Sequence, residues 1–134
     1  MSDPATPEDQ PKGELAIRTL AMPADTNPSG DIFGGWVMAQ MDVAGGITAG
    51  ARAGGRVATV AVTGFTFHKP IYVGDVVCCY ADIQSVGTTS LTMLVEAWAL
   101  RRREEGKRVK VTEGVFTFVA LDDNGNKRPI PGAA

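Results

Sequence analysis

The chain has 134 residues, 44% of them hydrophobic and 21% charged, and a formal net charge of −2. That is the length and composition of one globular domain, and its charge gives no general reason to expect nucleic acid or an acidic membrane as a partner. No apolar run approaches the roughly 20 residues that a bilayer span requires.

Residues 1–13 (MSDPATPEDQPKG) carry Pro, Asp, Glu and Ser without an apolar core. They read as a disordered tail, neither signal peptide nor strand, ahead of a folded domain over 14–130. Leu15 to Met22 is the first expected strand, ended by Pro23, and ADTNPSGD is loop chemistry. A helix is expected from about Phe33 to Arg52. After Gly54 and Gly55 the composition turns to Val, Thr and Phe, so Arg56 to His68 reads as a strand. Pro70 interrupts it, and Gly74-Asp75 marks a turn before the strand VVCCYADIQSV. There Cys78 and Cys79 point to opposite faces, as suits buried free thiols in a reducing compartment, and cytoplasm is the expected location. Beyond Gly87, the stretch TSLTMLVEAWALRRR alternates apolar residues at Leu91, Met93, Val95, Ala97 and Ala99. Glu104 to Lys107 reads as a hairpin turn, and Arg108 to Leu121 as the last strand, closed by DDNGN. No internal repeat is present.

One strand, one helix and four strands with short connections favour antiparallel pairing. Such a sheet buries its apolar face by wrapping around the single helix. The helix is apolar on nearly every side, which predicts that protein surrounds it. Gly45, Gly46 and Gly50 each cost about 1 kcal/mol relative to Ala there, and close packing is the expected compensation. One helix cannot cover both faces of its sheet, so dimerisation is expected.

Four stretches carry a family signature in order: DTNPSGDIFGGWVMAQMD, RVATVAV, FTFHKPIYVGDVV and EGVFTFVALDDNG. Together they resemble the hotdog-fold acyl-CoA thioesterases, most nearly the short bacterial YciA-type acyl-CoA hydrolases, across about residues 14–130. The resemblance implies an α+β hotdog fold and a homodimer with one continuous sheet, often assembled to a hexamer. It also implies active sites at the dimer interface, with Asp42 from one subunit and Asn27 from the other. The substrate would be acyl-CoA, with coenzyme A entering only as part of substrate and product, and no other cofactor or metal.

The residues admit that chemistry, and in places a plainer one. Gly34 and Gly35 remove side chains where helix amides lack partners and the dipole is positive, an arrangement able to hold a thioester oxyanion; equally, glycines fit a crowded turn. Asp42 shares a helical face with Met38, Gly45 and Gly46. A carboxylate buried there needs pairing, either as catalytic base or nucleophile or as a hydrogen-bonded structural group. Asn27 before Pro28 is also a common turn stabiliser. Asp31, one residue before the apolar run, is read as the helix cap. His68 is the lone histidine, but it has no Ser or Cys nucleophile motif beside it and is not assigned catalysis. Lys69 faces solvent or a CoA phosphate. Gly87-Thr88-Thr89-Ser90 is either a hairpin turn or a segment holding pantetheine or diphosphate. Arg101, Arg102, Arg103, Lys107, Arg108 and Lys110 read as a solvated face, with contact of one or two of them to the 3′-phosphate as the alternative. No phosphate-binding glycine loop or metal-ligand cluster is present. Two alternatives stay open: a hotdog hydratase or dehydratase, which needs a catalytic His, and a non-catalytic acyl-CoA-binding module, which needs no reactive carboxylate.

Overall fold

The computed structural model describes residues 10–101 and 107–132. Its elements run β1 (Glu14–Leu20), α1 (Gly34–Ala53), β2 (Val57–Phe67), β3 (Val76–Val86), β4 (Ser90–Arg101) and β5 (Lys107–Ala120), with a single 3-10 turn at Pro23–Asp25. The expected elements are all there, with ends displaced by one or two residues; the first strand stops at Leu20 rather than Met22. The expected Glu104–Lys107 turn lies mostly outside the described residues, as do Arg102 and Arg103. Of the expected tail, Gln10 to Gly13 are described, and the Lys12 N–H donates to Glu96 Oε1 at 2.8 Å.

The five strands form one antiparallel sheet in the order β1-β3-β4-β5-β2. This is the α+β hotdog arrangement: one sheet curled around one long helix. The alternation in β4 works as anticipated, since Leu91, Met93, Val95, Ala97 and Ala99 all lie in the core against α1. Burying Phe116 and Phe118 beside them contributes about 1.5–3 kcal/mol each.

Helix and sheet approach closely because of Gly45. A Cβ there would lie 2.8 Å from the Phe118 ring and 3.4 Å from Met93 Sδ. This is the packing that offsets the helix-weakening residue. At the far end Gly54 takes a left-handed φ of 72° and its N–H caps Gly50 O, a conformation glycine adopts at little cost. Cys79 faces the core with no exposure, and burial, with some help from Cys78, pushes its thiol up to about 12.

The expectation that protein surrounds α1 is corrected for a single chain. Val37, Met41, Ala44, Gly45, Ala49 and Ala53 are buried. On the opposite side Met38, Val43 and Ile47 are 39%, 54% and 52% exposed. The reason is geometric: one sheet covers one side of a helix. Edge strand β2 is likewise open, with Val60, Val62 and Phe67 exposed.

Candidate active site

The segment leading into α1 is organised by Asn27. Its Oδ1 accepts the N–H groups of Ser29 at 2.9 Å and Asp31 at 3.1 Å. Its own N–H donates to Asp31 O at 2.7 Å, and its carbonyl accepts from Gly30. The turn role is therefore observed, and it leaves room for a chemical one. The oxygen holds the loop, while the side-chain NH2 has no acceptor among the described residues and is left as a donor. The reading of Asp31 as helix cap is corrected: the N-cap is Phe33, and no side chain caps the helix. Asp31 sits two residues too early because its backbone is tied to Asn27.

Trp36 and Val37 N–H both donate to Phe33 O, so the Gly34 and Gly35 amides are left at the open, positive end of the helix. The two glycines differ. A Cβ on Gly34 would approach the Phe67 ring to 3.2 Å, whereas one on Gly35 would meet nothing within 4 Å. Packing therefore accounts for Gly34, and it gives no reason for Gly35.

Gly35 opens onto a cleft of about 410 Å³ that it shares with Met38, Ala39, Asp42, Thr59, Val62 and Phe116. The walls are apolar apart from one carboxylate and one hydroxyl, which touch: Thr59 Oγ1 donates to Asp42 Oδ1 at 2.5 Å. The expected burial of Asp42 is corrected, because in one chain its side of α1 is the open side. Sequence reasoning missed Thr59. The only available signal was a hydroxyl among the Val and Ala of RVATVAV, and hydroxyls are common in strands.

Asn27 and Asp42 do not meet within one chain. Asp42 lies eight residues into the helix, about 12 Å along its axis from Gly34, and Asn27 bonds only within its own loop. Lys69 lines a separate cavity of about 190 Å³ with Gly34, Phe67, Ile71 and Thr112. Gly87 to Ser90 form the β3–β4 turn, where Gly87 N–H donates to Ser90 O. The Thr88 and Thr89 carbonyls accept from Ile130 and Ala120. This turn and Lys69 stand at opposite ends of the β2–β5 pair. Val57 pairs with Ala120 and Phe67 with Thr112, a separation of about 26 Å over eight residues of β5.

His68 belongs to a different group of charges. Glu96 and Glu113 are cross-strand partners, a placement that is unfavourable for like charges. Lys110 Nζ resolves it by bonding Glu96 at 2.8 Å and Glu113 at 3.0 Å, and His68 Nε2 lies 3.1 Å from Glu113. The Glu96 side chain is only 1% exposed. Desolvation pulls the Lys110 ammonium down, but the hydrogen bonds and charges of both glutamates outweigh it and leave its pKa raised. Desolvation pushes Glu113 up, and the bonds and charges of Lys110 and His68 outweigh it, leaving Glu113 lowered.

The model of the family described as "Thioesterase superfamily" matches residues 29–105, from the Asn27 loop through the Asp42 cleft to the end of β4. The chain belongs to this superfamily. It is similar to an acyl-CoA thioester hydrolase, YciA, of Salmonella typhimurium, with 54% identity over 128 residues that cover 94% of this chain and 96% of that one. A hexameric thioesterase from Yersinia pestis superposes with a TM-score of 0.87 at 55% identity, covering 92% of this chain and 100% of that one. An acyl-CoA hydrolase from Staphylococcus aureus, solved with butyryl coenzyme A, coenzyme A and coenzyme A disulfide, gives a TM-score of 0.79 at 33% identity. Its match covers 88% of this chain and 71% of that one.

In this thioesterase the loop contacts of the Asn27 side chain can be separated from any use of its free NH2. Asn27→Asp keeps an oxygen for the Ser29 and Asp31 amides but loses the NH2 donor. The melting temperature is expected to stay within a few degrees while turnover falls about a hundredfold, the size of effect seen on losing one oxyanion donor. A fully active Asn27→Asp enzyme would show that the loop contacts are the residue's whole role.

Proposed function

We propose that this thioesterase hydrolyses acyl-CoA to the free acid and coenzyme A at a site completed by a second copy of the chain. The observation that carries the reading is the Asp42 carboxylate, held by Thr59 in an otherwise apolar cleft, with the donor group of Asn27 out of reach in the same chain. Asp42 either takes a proton from water, which then attacks the thioester carbonyl carbon, or attacks that carbon itself to give an anhydride that water opens. In both routes the C–S bond breaks, the sulfur leaves as thiolate and takes up a proton, and the acyl group departs as the acid. The amides at Gly34 and Gly35 and the Asn27 NH2 are the donors for the carbonyl oxygen as it becomes negative. The reaction uses no metal or prosthetic group.

The second copy is expected along β2. Antiparallel pairing of two β2 edges continues the sheet, covers Val60 and Val62, and sets the open sides of two α1 helices near one another. It also brings the Lys69 end of one chain toward the Gly87–Ser90 turn of the other, which would give coenzyme A one continuous surface. The hexameric assembly of the Yersinia pestis relative supports an oligomer. The Staphylococcus aureus hydrolase has also been solved as variants with an aspartate or an asparagine replaced by alanine, the two residue types assigned here. The hydratase reading is disfavoured because His68 is not among the residues that line the Asp42 cleft.

The test mixes two inactive chains. Asn27→Ala and Asp42→Ala are each expected to release almost no coenzyme A from acyl-CoA. Refolded together, half of the dimers are mixed, and each mixed dimer holds one intact site, so about a quarter of the wild-type activity should return. No recovery would overturn the shared site. No coenzyme A release by the wild type would favour a binding module instead.

A further inference from the structure

Gly34 and Gly35, adjacent at the start of α1, line two different spaces: the cavity beside Lys69 and the Asp42 cleft. The two differ in character. The cleft holds a carboxylate and the hydroxyl bound to it. The cavity, of about 190 Å³, is walled by the buried side chains of Ile32, Val37, Ile71 and Val111 and by the ring of Phe67. Polar groups around it are already spent. Thr112 Oγ1 donates to Thr66 O at 2.6 Å, and the His68 and Lys69 N–H groups both donate to Val111 O. Lys69 is exposed, so its ammonium can stay in water while its stem completes the wall.

A row of rings runs from one space to the other. The Phe67 ring lies over Gly34, where a Cβ would come within 3.2 Å of it. Its centroid is 5.1 Å from that of Phe65, which is 6.4 Å from that of Phe116 in the wall of the cleft. Gly114 makes room for the row, since a Cβ there would lie 2.6 Å from the Phe65 ring. A thioester whose carbonyl oxygen is held by the Gly34 and Gly35 amides must send its alkyl chain to one side or the other. On the cleft side the chain would strip water from a carboxylate, which is costly. On the cavity side it meets apolar walls. We propose, resting on the hydrolase reading above, that the cavity at Gly34 holds the acyl chain of the substrate and that Phe67 sets how long that chain can be. A cavity of about 150 Å³ takes the six carbons of benzene, so this one takes about eight carbons.

Coenzyme A release from a series of saturated acyl-CoAs tests this. In the wild type, kcat/KM is expected to rise about fourfold per added methylene, the worth of burying one, and to level off at about eight carbons. Phe67 is 50% exposed, so it can be replaced without emptying the core. Phe67→Ala should carry the rise on to dodecanoyl-CoA, and Phe67→Trp should stop it near butyryl-CoA. Ile71→Val, on another wall, should extend it by about one carbon, and thermal unfolding checks that each variant is folded. The proposal is overturned if the wild-type rise continues unbroken past dodecanoyl-CoA, or if the Phe67 and Ile71 variants keep the wild-type profile. A wild type that releases no coenzyme A from any of them would defeat the hydrolase reading instead. The same profiles, read as affinities by titration calorimetry, would then decide the proposal by the same criteria.

Discussion

Asp42→Asn is expected to lower acyl-CoA turnover by about two orders of magnitude or more, the usual span for losing a general base, with little change in fold or in coenzyme A affinity. The substitution keeps shape and keeps a carbonyl oxygen where Thr59 Oγ1 donates, so the contact between α1 and β2 survives. What disappears is negative charge and basicity. The stability cost is at most that of one charge-assisted hydrogen bond made neutral, about 1 kcal/mol. It is offset in any assembly that buries the group, because an uncharged amide is cheaper to desolvate. A structural Asp42 would give the reverse pattern, a lowered melting temperature with the folded fraction still active. Measuring turnover and thermal unfolding on one preparation separates the two, and a stable, fully active variant would refute the mechanism.

Lys110→Met should produce the largest loss of stability. It leaves the Glu96 carboxylate in the sheet with only the Lys12 N–H at 2.8 Å and the Trp98 indole N–H at 3.5 Å, opposite a Glu113 that keeps only His68. Removing one partner of a buried pair costs about 3–5 kcal/mol, which for a chain of this size lowers the melting temperature by roughly 10 °C or more. Adding Glu96→Gln should restore much of it, since a neutral amide removes the repulsion and still accepts from Lys12. A double-mutant cycle measures the coupling. The pH dependence has a definite sign. Glu113 is held below its ordinary 4.5, so its contribution is complete above that value and is lost as acid protonates it. Lys110 is held above its ordinary 10.5, so its contribution is complete below that value and is lost in strong alkali. The gap between wild type and Lys110→Met is therefore widest between about pH 5 and pH 10 and closes toward both extremes. A gap that does not change with pH would mean that the loss comes from packing.

The elements were legible because each is local. The strand at Val76–Val86 and the breaks at Pro70, Gly74 and Gly87 follow from residues within a few positions of one another. The site was legible only in part. Asp42 stood out as a charge in an apolar helix, but whether it would be buried depended on where the sheet ends, which no local pattern encodes. Thr59 became visible only when β2 was seen to lie beside α1. Asp31 looked like a cap by spacing, and lost that place because Asn27 takes its backbone into a tighter turn. The quartet of Glu96, Lys110, Glu113 and His68 draws on two strands and the residue just past the end of β2, and the pairing of Glu96 with Glu113 is set by the register of β4 on β5. That register includes a bulge between Ala97 and Trp98 that nothing in the sequence announces.

The buried thiol on β3 equips the molecule with a clock. With its pKa near 12, Cys79 is ionised to only about one part in 10⁵ at pH 7, and it has no exposed surface. An alkylating reagent can reach it only during moments when the central strands part. In a Cys78→Ser chain, which removes the thiol lining a groove on the outer face of the sheet, the slow appearance of mass-labelled chains in a native sample therefore counts those openings directly, with no denaturant. Repeating the count with substrate or coenzyme A present would register how far a bound ligand holds the strands shut.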